Sequence, residues 1–359
     1  MRQNTHPNQI PLFDPGEDRG VIERERERVQ RPCRNTYDSI ISLENLLLSW
    51  QEFLKGKRKR KDVAKFSLMF MDNILKLHHN LSNKTYKHGS YYHFKINDPK
   101  PRDIHKATVR DRIVHHAIYR ILYPYFDKKF IFDSYSCRNG KGTHRALNRF
   151  RQLAAKESRN NTKTLWVLKG DIRKFFANID HRVLENILRN NILDKNISWL
   201  LKSVIESFHT GNQLNVGLPL GNITSQLLIN VYMNEFDQFV KRSLKVKYYL
   251  RYADDFVILH TNKSYLDNLI PQLSAYLKTE LKLSLHPDKL YVKRLSSGID
   301  FLGWVHFPHH RVLRTTTKRR MFKRLQQSYS SESLASYLGL LKHGNAYGLA
   351  KRILVEKSF

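Results

Sequence analysis

Tyr252-Ala253-Asp254-Asp255 places two adjacent carboxylates between two short runs of aromatic and β-branched residues, 248–252 and 256–259. Such runs favour strands, and a tight polar turn between them makes a hairpin. The pattern predicts acids presented at a sheet edge, where carboxylates can hold metal ions; a solvated Asp-Asp turn would read the same. A third acid favours the metal. Leu165-Trp166-Val167-Leu168 reads as a buried strand running into Gly170-Asp171-Ile172-Arg173-Lys174-Phe175-Phe176, so this strand also ends at an acid. Asp171 and Asp254 could share a pair of divalent cations if their strands are neighbours. Mg2+ takes oxygen ligands, keeps several waters, and is bound by one or two carboxylates plus substrate phosphates. Two such ions about 4 Å apart lower the pKa of an attacking hydroxyl and neutralise a leaving pyrophosphate during in-line transfer.

The elements that must carry these acids follow from the flanking pattern. Between them lies Gly217-Leu218-Pro219-Leu220-Gly221-Asn222-Ile223-Thr224-Ser225-Gln226, ahead of a helical run over 227–239. Its glycines permit close backbone approach and its Thr and Ser can cap the helix, as in any loop-to-helix junction. Upstream, residues 40–81 have helical apolar spacing, interrupted by the basic run 55–61. That run is either a solvated loop or a phosphate contact. Residues 91–96 read as a strand and 109–123 as a helix. Residues 134–144 form a basic, glycine-containing loop that opens a further helix, and a helix N-terminus of that kind suits phosphate. Residues 1–34, rich in charge and Pro, read as a loosely ordered leader.

Composition narrows the partner. The 359 residues hold 63 Lys and Arg against 32 Asp and Glu, a formal net charge of +31, which would repel itself unless a polyanion were a normal partner. Nucleic acid fits. An anionic membrane is the rival, but there is no apolar run of about 18 residues, no signal peptide and no apolar amphipathic anchor, so no membrane partner is expected. With 41% hydrophobic and 11% aromatic residues the chain can build a sizeable core. Only two cysteines, Cys33 and Cys137, are present, which excludes a disulfide framework or a multi-cysteine zinc site and suits a reducing, cytoplasmic setting.

Taken in order, residues 171–176, 217–226, 252–255, 285–289 and 298–304 resemble the successive palm motifs of the reverse transcriptases, over about residues 40–350. The resemblance implies an α+β right-hand polymerase with fingers at 35–160, a palm with an antiparallel sheet at 161–308 and a short helical thumb at 309–359. It implies RNA-templated addition of deoxynucleotides to a primer 3′-hydroxyl with two Mg2+ ions, for which Mn2+ can substitute. Carried over by position, Asp171, the Ile172 backbone carbonyl and Asp254 hold metal, with Asp255 as the second hairpin acid. Phe176 walls off the ribose 2′-hydroxyl, and Lys289 protonates the departing pyrophosphate. Arg102 and Arg110 match residues that hold template or triphosphate, with Lys100, Lys106 and Arg112 as competitors. Gly221, Ser225 and Gln226 lie against nucleotide and template, and Phe301, Leu302, Gly303 and Trp304 resemble the primer grip. Many members carry Gln before the glycine and Pro after the serine of the middle motif, whereas Leu220 and Gln226 stand here. With Lys100-Pro101-Arg102 and Gly140-Lys141-Gly142-Thr143-His144, that departure most resembles the enzymes of diversity-generating retroelements, which work with a small basic accessory protein. Group II-like and defence-associated enzymes are the alternatives, and a non-catalytic RNA-binding protein with a polymerase fold is the reading from another class.

Overall fold

The computed structural model describes residues 36–97, 101–211, 213–327 and 330–355. The leader expected over 1–34 and the candidate Lys100 lie outside the described residues. The chain begins with four helices, α1 (Tyr37–Ile41), α2 (Leu43–Leu54), α3 (Lys61–Leu68) and α4 (Phe70–Ser82), with the basic run turning between α2 and α3. Thr36 and Ser42 cap α1 and α2 through their side-chain oxygens. Strand β1 (Tyr92–Ile96) then pairs antiparallel with β2 (Arg102–Lys106). Sequence patterning did not anticipate β2, because Pro99 and Pro101 punctuate its approach; Pro101 lies just outside the ladder, where its missing N–H costs nothing.

Helix α5 (Val109–Asp127) runs through Pro124 past the expected end at Tyr123, and α6 (Thr143–Glu157) follows the glycine-containing loop. Strand β3 (Trp166–Asp171) leads to α7 (His181–Asn191), α8 (Lys195–Ile205) and α9 (Ile223–Gln238). The hairpin strands β4 (Tyr249–Tyr252) and β5 (Asp255–His260) precede α10 (Lys263–Thr279) and β6 (Tyr291–Arg294). A second small sheet of β7 (Ile299–Phe301), β8 (Trp304–His306) and β9 (Arg311–Leu313) leads into α11 (Thr315–Gln327), α12 (Ser331–Leu341) and α13 (Tyr347–Val355).

The organising feature is the antiparallel sheet β4-β5-β3-β6. Successive side chains of a strand point to opposite faces, and here both faces are buried. Leu168, Phe256 and Ile258 join one apolar cluster with α1, α2, α4, α5 and α7–α10. Val167, Leu250, Val257 and Leu259 join a second with α6, the β7-β8-β9 sheet and the C-terminal helices. Two-sided burial explains why β3 and β5 read as continuous apolar runs rather than alternating ones. Helix α9 is buried on nearly every side, from Thr224 to Asp237. No described helix is long and apolar enough to cross a membrane.

Candidate active site at the end of the central strands

The acids expected at a sheet edge stand instead at the end of the two interior strands, because β5 pairs with β4 on one side and β3 on the other. Asp171, the last residue of β3, is the register partner of Asp255, the first of β5. Directly opposed residues of an antiparallel pair hold their Cβ atoms about 5 Å apart. Asp254 fills the turn, and its carbonyl accepts the Ile172 N–H at 3.2 Å, so the hairpin tip is tied to the chain leaving β3. The next segment closes the group: His286 N–H donates to the Asp171 carbonyl at 2.7 Å and Ile172 bridges to Leu285. The 3-10 turn Pro287–Lys289 then carries Lys289 back, so that its ammonium lies 2.7 Å from Asp171 Oδ1.

Three converging carboxylates repel one another. Burial pushes the Asp254 carboxyl up to about 6, with Asp255 and Asp171 adding to the rise. Asp255 is raised for the same first reason, opposed by Lys169, whose ammonium lies 3.5 Å from Asp255 Oδ1. That oxygen is buried and makes no hydrogen bond. Its charge is met by the Lys169 ion pair, as that of Asp171 is by Lys289. Among the described residues no group of three or more His, Cys, Asp or Glu side chains is placed to hold a metal ion by itself; Mg2+ is commonly bound by one or two carboxylates, with water and substrate phosphate completing its shell. Lys169 was missed in the sequence, although the period-2 rule puts it on the face of Asp171.

The other candidates divide. Phe176 lies in the 3-10 turn Phe175–Asn178 just beyond Asp171, after a left-handed Lys174, and is half-buried. Its carbonyl accepts the Leu218 N–H at 2.8 Å, which joins the 217–226 loop to the Asp171 segment. Gly217 needs its positive φ, and a Cβ there would lie 2.1 Å from Thr210 Oγ1. The loop also joins β2, since Leu220 carbonyl accepts the His105 N–H at 3.0 Å and Asn222 Nδ2 donates to the His105 carbonyl at 3.1 Å. Capping by Thr and Ser is not found: α9 starts at Ile223 after Asn222, and the Thr224 hydroxyl, already inside the helix, meets His115 Nδ1 instead. Ser225 is buried, while Gly221 and Gln226 are exposed.

Of the basic candidates near β2, Lys106 and Arg112 both pair with Asp62, at 3.0 and 2.6 Å, and Arg110 pairs with Asp111 at 2.9 Å. Arg102 is exposed. Phe301 and Trp304 are core residues of the second cluster, with the Phe301 ring 5.7 Å from that of Phe150. Between them Leu302 and Gly303, both at positive φ, make a two-residue hairpin turn and leave only that turn accessible.

The chain is thus a mixed helix-and-sheet fold with three acids gathered at one end of an antiparallel sheet. The family model for reverse transcriptase (RNA-dependent DNA polymerase) matches residues 87–306, more than half of the chain, and the chain belongs to that family of RNA-directed DNA polymerases. It is 28% identical over 282 residues to Protein YkfC of Escherichia coli (strain K12), covering 67% of this chain and 72% of that protein. It is 24% identical over 312 residues to the group II intron-encoded protein LtrA of Lactococcus lactis subsp. cremoris, covering 66% of this chain and 50% of LtrA. The chain thus spans about half of LtrA. A shorter match, 28% identical over 97 residues, is to nuclear intron maturase 1, mitochondrial, of Arabidopsis thaliana, covering 27% of this chain and 13% of that protein.

Proposed function

We propose that this chain adds deoxynucleotides to a primer 3′-hydroxyl on an RNA template, with residues 35–160 as fingers, 161–308 as palm and 309–359 as thumb of a right-hand polymerase. The observation that carries it is the cross-strand pair Asp171–Asp255 with Asp254 in the adjoining turn and Lys289 on Asp171. Asp171, Asp254 and the Ile172 carbonyl would hold two Mg2+ ions, or Mn2+ in their place. The bound ions supply activation of the 3′-hydroxyl and neutralisation of the leaving pyrophosphate. The protein's own part is positioning and electrostatics. The register of β3 on β5 holds the carboxylates together, and buried Lys169 offsets the charge of Asp255. Lys289, half-exposed on a turn, can leave Asp171 and donate a proton to the departing phosphate oxygen. Phe176 stands against the sugar, Gly221, Ser225 and Gln226 against nucleotide and template, and the Leu302-Gly303 turn against the primer end.

Primer extension on an RNA template with deoxynucleotides is the test. Asp254→Asn, which keeps the side chain's size and removes its charge, is expected to lower kcat by at least 100-fold while the protein stays folded and still binds primer–template. Extension at the parental rate would remove Asp254 from the catalytic assignment, whereas a parent that binds RNA but extends no primer would support the non-catalytic RNA-binding reading instead. The biological setting has two readings. Leu220 and Gln226 in the 217–226 loop favour a diversity-generating retroelement enzyme, working with a small basic accessory protein; the likeness to LtrA, named as group II intron-encoded, favours a group II-like one. Sequencing the cDNA separates them: errors concentrated at template adenines support diversification, and an even, low error spectrum supports the second.

A further inference from the structure

Arg251 sits on β4 two residues before Ala253, and its side chain is wholly buried, as is that of Asp237 near the end of α9. Its Nε and Nη2 each donate to the Asp237 carboxylate at 2.7 Å, in the bidentate fork that only a guanidinium supplies. Tyr249 donates its hydroxyl to the same carboxylate at 2.7 Å. Nη2 also donates to Ser134 Oγ at 3.1 Å. The remaining arm leaves the pair: Nη1 donates to the Ala253 carbonyl at 3.0 Å, inside the turn that precedes Asp254.

Ala253 has a φ of +55°, the left-handed region that a residue with a Cβ adopts only when its surroundings hold it there. The ladder ends at the Tyr252–Asp255 pair, so strand pairing alone does not hold the turn's carbonyl. The guanidinium does, and it is itself rooted in α9, whose first turn carries Thr224 and Ser225. Strand β4 is pinned from behind as well, since Arg251 N–H donates to the Asp133 carbonyl at 2.9 Å and its carbonyl accepts the Tyr135 N–H at 3.0 Å. A fully buried ion pair is poor value as a stabiliser, because apolar side chains of similar volume often serve as well or better. What apolar residues cannot do is grip a carbonyl in the turn.

We propose that Arg251 and Asp237 form a buried clamp that positions Asp254 for catalysis by fixing the Ala253 carbonyl. The role rests on the catalytic reading of Asp254, and Arg251 acts through the turn rather than on substrate.

The test compares Arg251→Lys, the double variant Arg251→Met/Asp237→Leu and Asp254→Asn with the parent, by thermal melting and steady-state primer extension. A lysine keeps the charge but cannot reach Asp237 and Ala253 together. The expected result for Arg251→Lys is melting within a few degrees of the parent and kcat lowered about 10- to 100-fold, the scale of a displacement of about 1 Å, with KM for primer–template unchanged. The double variant is expected to fold and lose kcat to the same extent. A folded Arg251→Lys with kcat within about twofold of the parent overturns the clamp, and if that variant does not fold, the same outcome in the double variant overturns it. Failure of both to fold overturns it too, for the pair would then hold the fold rather than the turn. Asp254→Asn separates the two ideas. If it extends like the parent the catalytic reading fails; if it is inactive while a folded clamp variant is active, only the clamp fails.

Discussion

Phe176 shows how much one side chain carries and how its position follows from the residues around it. Strand β3 ends at Asp171, left-handed Lys174 bends the chain, and the 3-10 turn Phe175–Asn178 swings Phe176 toward the 217–226 loop. Its ring meets that of Phe175 edge-on at 5.8 Å and is half-buried, so it both packs and faces open space. Phe176→Ala is therefore expected to lower the melting temperature by a few degrees and to raise ribonucleotide incorporation relative to deoxynucleotide by tenfold or more, about 1.4 kcal/mol of discrimination. The ratio of kcat/KM for the two sugars measures it; Phe176→Tyr should keep the parental ratio, and an alanine variant with unchanged discrimination removes the wall from the proposal. At this scale the sequence was readable where an apolar run stops at an acid, as at Asp171 and Asp254. Lys169 was within reach of the same period-2 reasoning. Lys289 was visible only through resemblance, because its approach to Asp171 spans 118 residues. Asp237 was not readable at all, since an acid within a helical run looks like an ordinary solvated residue until a buried arginine is found beside it.

Between elements, the decisive contact is the pairing of β3 with β5, and one glycine permits it. Gly170 is the register partner of Phe256, and a Cβ on it would lie 2.3 Å from Phe256 Cζ. Phe256 is fully buried, its ring 5.4 Å from that of Phe236 and 6.2 Å from that of Tyr249, so it has little room to retreat. Gly170→Ala should thus overpack the site at a cost of about 1–3 kcal/mol and push the strands apart one residue from the Asp171–Asp255 pair. Melting is expected to fall by several degrees and kcat about 100-fold. Adding Phe256→Leu, which removes the offending ring atoms, should return part of both. An alanine variant equal to the parent in melting and kcat would mean that the sheet tolerates the shift and the acids do not depend on it. Each strand was legible in the sequence from its apolar run, but their neighbourhood was not, because α7, α8, α9 and β4 all lie between β3 and β5. A different limit hid β2: prolines punctuate its approach, and its His105 contacts with the distant 217–226 loop could not be read from its own residues.

Across the whole molecule, charge is what the chain has in excess, and the structure separates internal cations from the rest. Arg251, Arg138, Arg149, Arg112 and Lys106 are committed to Asp237, Asp127, Asp133 and Asp62. These five cations meet four acids, since Arg112 and Lys106 share Asp62, so nearly all of the excess of +31 falls on other cations. Helix α11 carries several: Lys318, Arg319 and Lys323 line a groove with Phe322 and Arg352, with the Arg352 guanidinium 5.0 Å from the Phe322 ring. If this proposed thumb tracks the backbone of the primer–template, each phosphate neutralised releases counterions, and the logarithm of affinity should fall linearly with the logarithm of salt concentration. With about 6–10 phosphates engaged, affinity is expected to drop roughly 10³- to 10⁵-fold between about 50 and 200 mM salt, measured by fluorescence anisotropy on a labelled RNA–DNA duplex. Lys318→Gln/Lys323→Gln should weaken binding to any sequence alike and flatten the slope by about one to two, whereas a base-reading residue would alter preference between sequences. A slope unchanged in that double variant would take α11 off the path of the nucleic acid. A flat response in the parent would leave the large positive charge without the polyanion it implies.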